Sequence, residues 1–545
     1  MFEPARHSTQ ATIRQWFTID RRNLLLIVAG WLLCVLLMPP TRNFAYVDDW
    51  VYSQAAERIW SGQGFIPPDY VSPTLVAHAY WGAAFAWLFG FNFTTLTWAT
   101  LVLSLIALIS FYLLLRLFGF SPYLSLVGTA VLAVNPLFIT YSYTYMTDIT
   151  FLSLMLLSSL CYTRAVTSNA QLVSGDDLKP VAIGNVSYSW LVLGSLFASL
   201  AFLVRQFGLA LPVAMLLWLL WSRRLRWQQL LAAGLLPAVT AGSYLLWSRG
   251  FPLNSAGVYQ QTVQGEWLNN PLVALQFRLN TVLYGLPLLG LTIPLFVRVR
   301  HWWLALPWFT MIALAIYALP LIISQEGSVP NTLSSYKPLW LLGAALAAWL
   351  LASLSERTYS MLARLQTDWR PPPVYFLYIL TLLLLVGTFF VSRYWYPRYS
   401  LPLLPALIVL ALLFCRSYAA RLQGLSWAII VLVALYSSVN HLESYAFTRL
   451  SWQAASNLVN EGVSLDHLDG GYAWNGYYMY DESMRRLRGQ PLHAPDAYPP
   501  DLVIDPQYRL AIAIQPGYRV VQSYSYFSPL SGFRDNTLLV LRRQE

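Results

Sequence analysis

Two adjacent carboxylates stand among aromatic side chains in the run Tyr46-Val47-Asp48-Asp49-Trp50-Val51-Tyr52. A carboxylate partly shielded by aromatics has its pKa raised, which suits it to take a proton from a hydroxyl. A plain solvated loop would also explain the pair. A third acid stands alone in Thr144-Tyr145-Met146-Thr147-Asp148-Ile149-Thr150. Thr147 or Asp148 also suits the start of a helix, where an oxygen caps the first N–H groups and an acid meets the helix dipole. Three arginines occur between apolar runs: Arg205 in Leu203-Val204-Arg205-Gln206-Phe207-Gly208, and Arg393 and Arg398 in Ser392-Arg393-Tyr394-Trp395-Tyr396-Pro397-Arg398-Tyr399. An arginine at the end of a membrane span can simply snorkel. The sharper reading is an anion site, because guanidinium binds phosphate through two parallel hydrogen bonds. A phosphate at a membrane face points to a lipid-linked donor.

Other candidates are weaker. His78 reads as a structural histidine on an aromatic helix, and Glu266 and Glu326 read as solvated. There is no HExxH, no local Ser–His–Asp signature, no GxGxxG and no phosphate loop. Cys34, Cys161 and Cys415 all fall in apolar runs without metal spacing, as small core residues do. Asn92-Phe93-Thr94 and Asn185-Val186-Ser187 match a glycosylation pattern too common to carry weight.

The elements that must position these residues are set by hydropathy. The 545 residues are 57% hydrophobic and 11% charged, against about 25% charged in soluble domains. Apolar runs near span length recur from Asn23 to Asn440. Spans are expected near 23–39, 95–117, 122–140, 148–165, 188–204, 207–222, 228–248, 280–297, 301–324, 338–354, 374–391, 399–415 and 424–440, about thirteen in all. The first follows Arg14, Arg21 and Arg22 and leads to Pro39-Pro40 rather than a cleavage site, so it reads as a retained span. The stretch 73–91 reads either as a fourteenth span or as a helix in the membrane interface.

Charge chooses between the two. With thirteen spans and a cytoplasmic N-terminus, inside segments hold roughly twice the basic residues of the outside loops. They include Arg223-Arg224-Leu225-Arg226, Arg298 and Arg300. A span at 73–91 would put such clusters outside. The net charge of +10 is thus topology-setting, and nucleic acid is excluded as a partner. The expected division is a membrane domain over 1–440, with a first outside loop over 40–94, and an extracytoplasmic α/β domain over 441–545. Strands are expected at Leu502–Asp505, Leu510–Ile514, Arg519–Ser525 and Thr537–Arg542.

A first span followed by an acidic pair and then Ala55-Ala56-Glu57-Arg58-Ile59-Trp60-Ser61-Gly62-Gln63-Gly64 resembles the first outside loop of GT-C glycosyltransferases. The likeness is to the family-39 type, which includes protein O-mannosyltransferases and the aminoarabinose transferase that modifies lipid A. Asn135-Pro136-Leu137 leading to Thr147-Asp148 looks like the segment carrying their second acid. Arg398-Tyr399-Ser400-Leu401-Pro402-Leu403-Leu404-Pro405 and Asp469-Gly470-Gly471-Tyr472-Ala473-Trp474-Asn475-Gly476 resemble later segments of that family. Where many members have His-Pro-Pro-Leu, this chain reads Val71-Ser72-Pro73-Thr74-Leu75, so no histidine role carries over to His78.

The resemblance implies a mainly α, polytopic fold and transfer of a sugar from a polyprenyl-phosphate donor, with inversion, to a lipid, glycan or protein acceptor at the outer face of the plasma membrane. It implies Asp48 or Asp49 as base, Asp148 as acceptor-orienting or cation-holding residue, and Arg205, Arg393 or Arg398 on the departing phosphate. A divalent cation is compatible with these carboxylates, though no spacing demands one. The alternative is a transporter or flippase of a lipid-linked saccharide. Such proteins keep charges near the bilayer midplane and show internal repeats. Here the charges cluster at span ends and no repeat is visible.

Overall fold

The computed structural model describes residues 6–68, 74–167, 186–250, 303, 305–318, 341–342, 344–349, 352, 371–391, 397–415, 423–486, 502–503, 505–531 and 534–544. Arg393, Glu266, Glu326 and the expected span near 280–297 lie outside the described residues.

The chain is a helical membrane protein with a small sheet near its C-terminal end. Helix α1 (Arg6–Leu37) leads into a loop, then α2 (Asp49–Trp60) and α3 (Val76–Phe89). Helix α4 (Phe93–Leu117) starts on Asn92, whose side chain accepts from the Thr95 N–H at 2.8 Å. Helix α3, at 14 residues, is about 21 Å long, too short for a hydrocarbon core of about 30 Å. It packs by one face, with His78, Ala79, Gly82, Ala83 and Ala86 buried and Trp87, Leu88 and Phe89 exposed. This suits the interfacial reading of 73–91.

Helices α5 (Pro122–Ala133) and α6 (Pro136–Ser142) replace the single span expected at 122–140. They are bent by 63°. Pro136 cannot donate to the helix, and the residue before a proline avoids helical backbone. Asn135 instead caps α6, accepting from the Leu137 N–H at 3.0 Å. Next come α7 (Thr147–Thr167), α8 (Tyr188–Phe202), a 3₁₀ turn (Gln206–Leu209), α9 (Ala210–Trp221) and α10 (Trp227–Ser248). They are followed by α11 (Ala305–Ala318), α12 (Val374–Val391), a 3₁₀ segment (Pro397–Leu403) and α13 (Leu404–Cys415). Among the described residues, 4 helices are long and apolar enough to cross a membrane, or up to 5 if the bent pair is one span. Several other expected spans are shorter apolar helices, among them Tyr188–Phe202 and Val374–Thr388.

The last long helix, α14 (Gln423–Asn460), runs unbroken through position 440. Its lower part meets the α5–α6 break, where Ser437 donates to the Val134 carbonyl at 2.7 Å. Its upper part carries the sheet: Glu443 accepts from the Ser528 hydroxyl and from the Leu530 N–H at 3.1 Å. The strands are β1 (Leu468–Asp469), β2 (Tyr508–Ala511), β3 (Tyr518–Ser528) and β4 (Arg534–Arg543), in order β1-β2-β4-β3. Three expected strands overlap β2, β3 and β4. No strand forms at the described residues of Leu502–Asp505. The Leu502 carbonyl accepts instead from Ser483 at 2.6 Å, on helix α15 (Tyr472–Arg486). The place in the sheet goes to β1, which pairs parallel with β2.

Candidate active site

Three carboxylates converge on the end of the bundle marked by the N-terminus of α4, and each is paired with an arginine. Asp48 and Asp49 open α2. Val47, just before them, has φ +54°, a backbone conformation that costs a β-branched residue roughly 1–2 kcal/mol. Successive helical side chains diverge by about 100°, so the two acids face different partners.

Asp49 faces inward. Its Oδ2 lies 2.5 Å from Arg42 Nη2, and both side chains are fully buried. Oδ1 accepts from the Tyr46 N–H at 2.8 Å and Oδ2 from the Tyr145 N–H at 3.2 Å. Arg42 also donates from Nε to Thr97 Oγ1 at 2.7 Å and from Nη1 to the Phe44 carbonyl at 3.2 Å. This knot joins the first loop, α4 and the segment before α7. Burial pushes the Asp49 carboxyl above its ordinary value, against the downward pull of Arg42 and of the two N–H donors.

Asp48 faces the other way. Arg398 Nη1 lies 2.8 Å from its Oδ2, and the Tyr472 hydroxyl donates to its Oδ1. Arg398 comes from the 3₁₀ segment before α13, and Tyr472 opens α15 in the C-terminal region. The third acid, Asp148, sits in the first turn of α7, as its helix-start signature suggested. Its Oδ1 lies 2.9 Å from Arg205 Nη2. Arg205 Nε donates to Thr147 Oγ1 at 2.8 Å. Asp148 Oδ2 is buried and has no hydrogen-bond partner among the described residues.

The second and third pairs belong to one centre. The charges of Asp48, Arg398, Arg205 and Asp148 all act on the Tyr52 phenol, whose pKa is raised chiefly by burial. Helix α3 and the residues just before it brace this centre. The Thr74 hydroxyl donates to the Phe202 carbonyl, and the Leu75 and Ala77 N–H groups donate to Val204 and Leu203 at 3.2 and 3.0 Å, on the turn that carries Arg205. His78 is fully buried and stacks on Tyr145, ring centroids 4.2 Å apart. Its Nε2–H points to the Tyr145 carbonyl at 3.3 Å and its Nδ1 accepts from Thr150 at 2.8 Å. Burial lowers its pKa to about 3. His78 is a neutral brace, in line with its structural reading.

Sequence reasoning missed Arg42, Tyr52 and Tyr472 as parts of this arrangement. A buried acid needs a counter-charge, and Arg42 stands a few residues from the acidic pair, so that signal was present. Nothing in the chain joins Tyr472 to an acid 424 positions away. A divalent cation fits poorly, because each carboxylate already faces a guanidinium. Among the described residues no three His, Cys, Asp or Glu side chains gather as a metal site. A cleft of about 840 Å³ between α3 and α4 reaches Arg42 but is not lined by Asp48, Asp148, Arg205 or Arg398.

No protein-family model matches the chain, and no curated protein matches it. Solved structures do. ArnT from Cupriavidus metallidurans bound to undecaprenyl phosphate matches at 14% identity and TM-score 0.42, covering 80% of this chain and 72% of that one. The same protein in the apo state matches at TM-score 0.41. The archaeal oligosaccharyltransferase AglB from Archaeoglobus fulgidus, in complex with an inhibitory peptide and a dolichol-phosphate, matches at 15% identity and TM-score 0.40. That alignment covers 77% of this chain and 56% of the other.

Proposed function

We propose that the chain is a membrane glycosyltransferase of the GT-C type that moves a sugar from a polyprenyl phosphate to an acceptor hydroxyl. The observation that carries this reading is the meeting of two acid–arginine pairs, Asp48–Arg398 and Asp148–Arg205, around Tyr52 at one end of the bundle. The motif resemblance noted in the sequence, which is carried in part by these same residues, supports it.

In the reaction, the acceptor oxygen attacks the anomeric carbon from the face opposite the phosphate. The bond from that carbon to the phosphate oxygen breaks, and its electron pair leaves with the lipid phosphate. The hydroxyl proton passes to Asp48. Arg398 holds Asp48 through Oδ2 and, with Arg205, faces the charge that develops on the departing phosphate, where a fixed guanidinium is most effective. Arg393, in the same run Ser392-Arg393-Tyr394-Trp395-Tyr396-Pro397-Arg398-Tyr399, is assigned to the same phosphate by its closeness to Arg398 in the sequence. Asp148, through Oδ2, orients the acceptor. Asp49 belongs with Asp48 in this site as the residue that locks the start of α2 through Arg42. The acceptor is a lipid, glycan or protein at the outer face of the plasma membrane, and the C-terminal domain lies on that face.

The test is to reconstitute the purified protein in nanodiscs with a panel of undecaprenyl-phosphate hexoses and pentoses and an envelope extract that supplies hydroxyl acceptors. Release of undecaprenyl phosphate from at least one is expected. Movement of intact donor across a vesicle bilayer without cleavage would instead establish the transporter reading.

A further inference from the structure

We infer that the Tyr472 hydroxyl occupies the place of the acceptor hydroxyl on Asp48, so that the C-terminal domain guards the base until an acceptor displaces it. The inference rests on Asp48 being the base. Arg398 takes Oδ2 of that carboxylate, and Tyr472 donates its proton to Oδ1. An acceptor about to be deprotonated must make that same O–H···Oδ1 bond. The tyrosine hydroxyl therefore has the chemistry of the acceptor in the position of the acceptor, with no anomeric carbon to attack.

The contact is built into the packing. Helix α15 is seated on α2 at Gly476, where an added Cβ would lie 2.4 Å from Trp50 Cε2. The Trp50 and Tyr480 rings lie 5.2 Å apart, and Trp474 meets Trp452 of α14 edge-on at 5.0 Å. Tyr472 itself is 38% exposed and begins the helix just after Gly471, whose φ is +89°. Its side chain can swing to solvent about its own Cα–Cβ bond while α15 stays docked. The guard is thus a single rotamer, and the occupant that releases it is a hydroxyl-bearing acceptor. In the absence of that acceptor the guarded base does not activate water, which protects the lipid-linked sugar from hydrolysis.

Two measurements on the full-length protein in nanodiscs test this. The first labels carboxyls with a water-soluble carbodiimide and glycine methyl ester and reads each site by mass spectrometry. Tyr472→Phe should raise labelling at Asp48 about fivefold, the scale of one lost hydrogen bond, and leave the exposed Asp535 unchanged. Equal labelling at Asp48 in both proteins overturns the inference whatever the substrate. The second follows hydrolysis of the undecaprenyl-phosphate sugar by water, without acceptor. Tyr472→Phe should speed hydrolysis about fivefold with KM for the donor unchanged, and adding Asp48→Asn should abolish the gain. Slower or unchanged hydrolysis in Tyr472→Phe, with Asp48→Asn inactive, overturns the guard and leaves the base standing. Full hydrolysis in Asp48→Asn removes the base itself.

Discussion

Asp48 and Asp49 differ by one position and by about 100° around the helix they open, and that angle separates chemistry from architecture. Asp49 has both oxygens engaged by Arg42 and by two backbone N–H groups. Asp49→Asn leaves Arg42 buried without its counter-charge, which should destabilise the fold by about 3–5 kcal/mol. A thermal unfolding midpoint near wild type would refute this. His78 makes a pH prediction. Its folded pKa is lowered to about 3, against about 6.5 in the unfolded chain. Between those values the unfolded chain binds the extra proton, so stability is full above pH 6.5 and falls as the pH drops toward 3. The loss approaches about 1.4 kcal/mol per pH unit. The melting midpoint of His78→Gln should therefore decline less than wild type between pH 7 and 5. The acids and two of their arginines were legible as residue types at the ends of apolar runs. The pairings of Asp48 with Arg398 and of Asp148 with Arg205 were not: a single chain carries no signal for a distant partner brought close by the fold.

At the scale of elements, the Arg205 turn depends on a glycine. A Cβ at Gly208 would lie 2.1 Å from the Phe202 backbone nitrogen, an atom fixed by α8. Gly208→Ala should displace the turn and cost activity with Arg205 itself intact. Donor turnover equal to wild type, in protein that elutes as a single species, would contradict that coupling. Most helices were readable because apolar runs are local. The break at Asn135-Pro136 was written in the residues too, since proline after a capping residue starts a helix rather than continues one. Strand β1 was illegible, because two residues carry no periodicity and its place is won by pairing with β2.

Over the whole molecule, the polar knots fall at two ends. Arg116 pairs with Asp20 at 2.9 Å at the far end of α4, and the three acid–arginine pairs lie toward its start. We propose, from the basic clusters of the sequence, that the first end is the cytoplasmic one. Asp48 reaches partners 350 and 424 residues away, in the 3₁₀ segment before α13 and in α15, so the C-terminal domain must share the side of the first loop. Single cysteines replacing Gln63 and Asp535, in a chain whose three native cysteines are alanine, should both react with an impermeant maleimide added outside intact cells. Protection of either would reverse that part of the topology.

The central claim is that Asp48 removes the acceptor proton. It is tested most directly by comparing turnover of undecaprenyl-phosphate sugar, with acceptor present, in wild type and Asp48→Asn at matched folded concentration. The account predicts a loss of about 10²–10⁴-fold in kcat, the usual scale of general-base catalysis, with donor binding retained. Turnover within a few fold of wild type would contradict it.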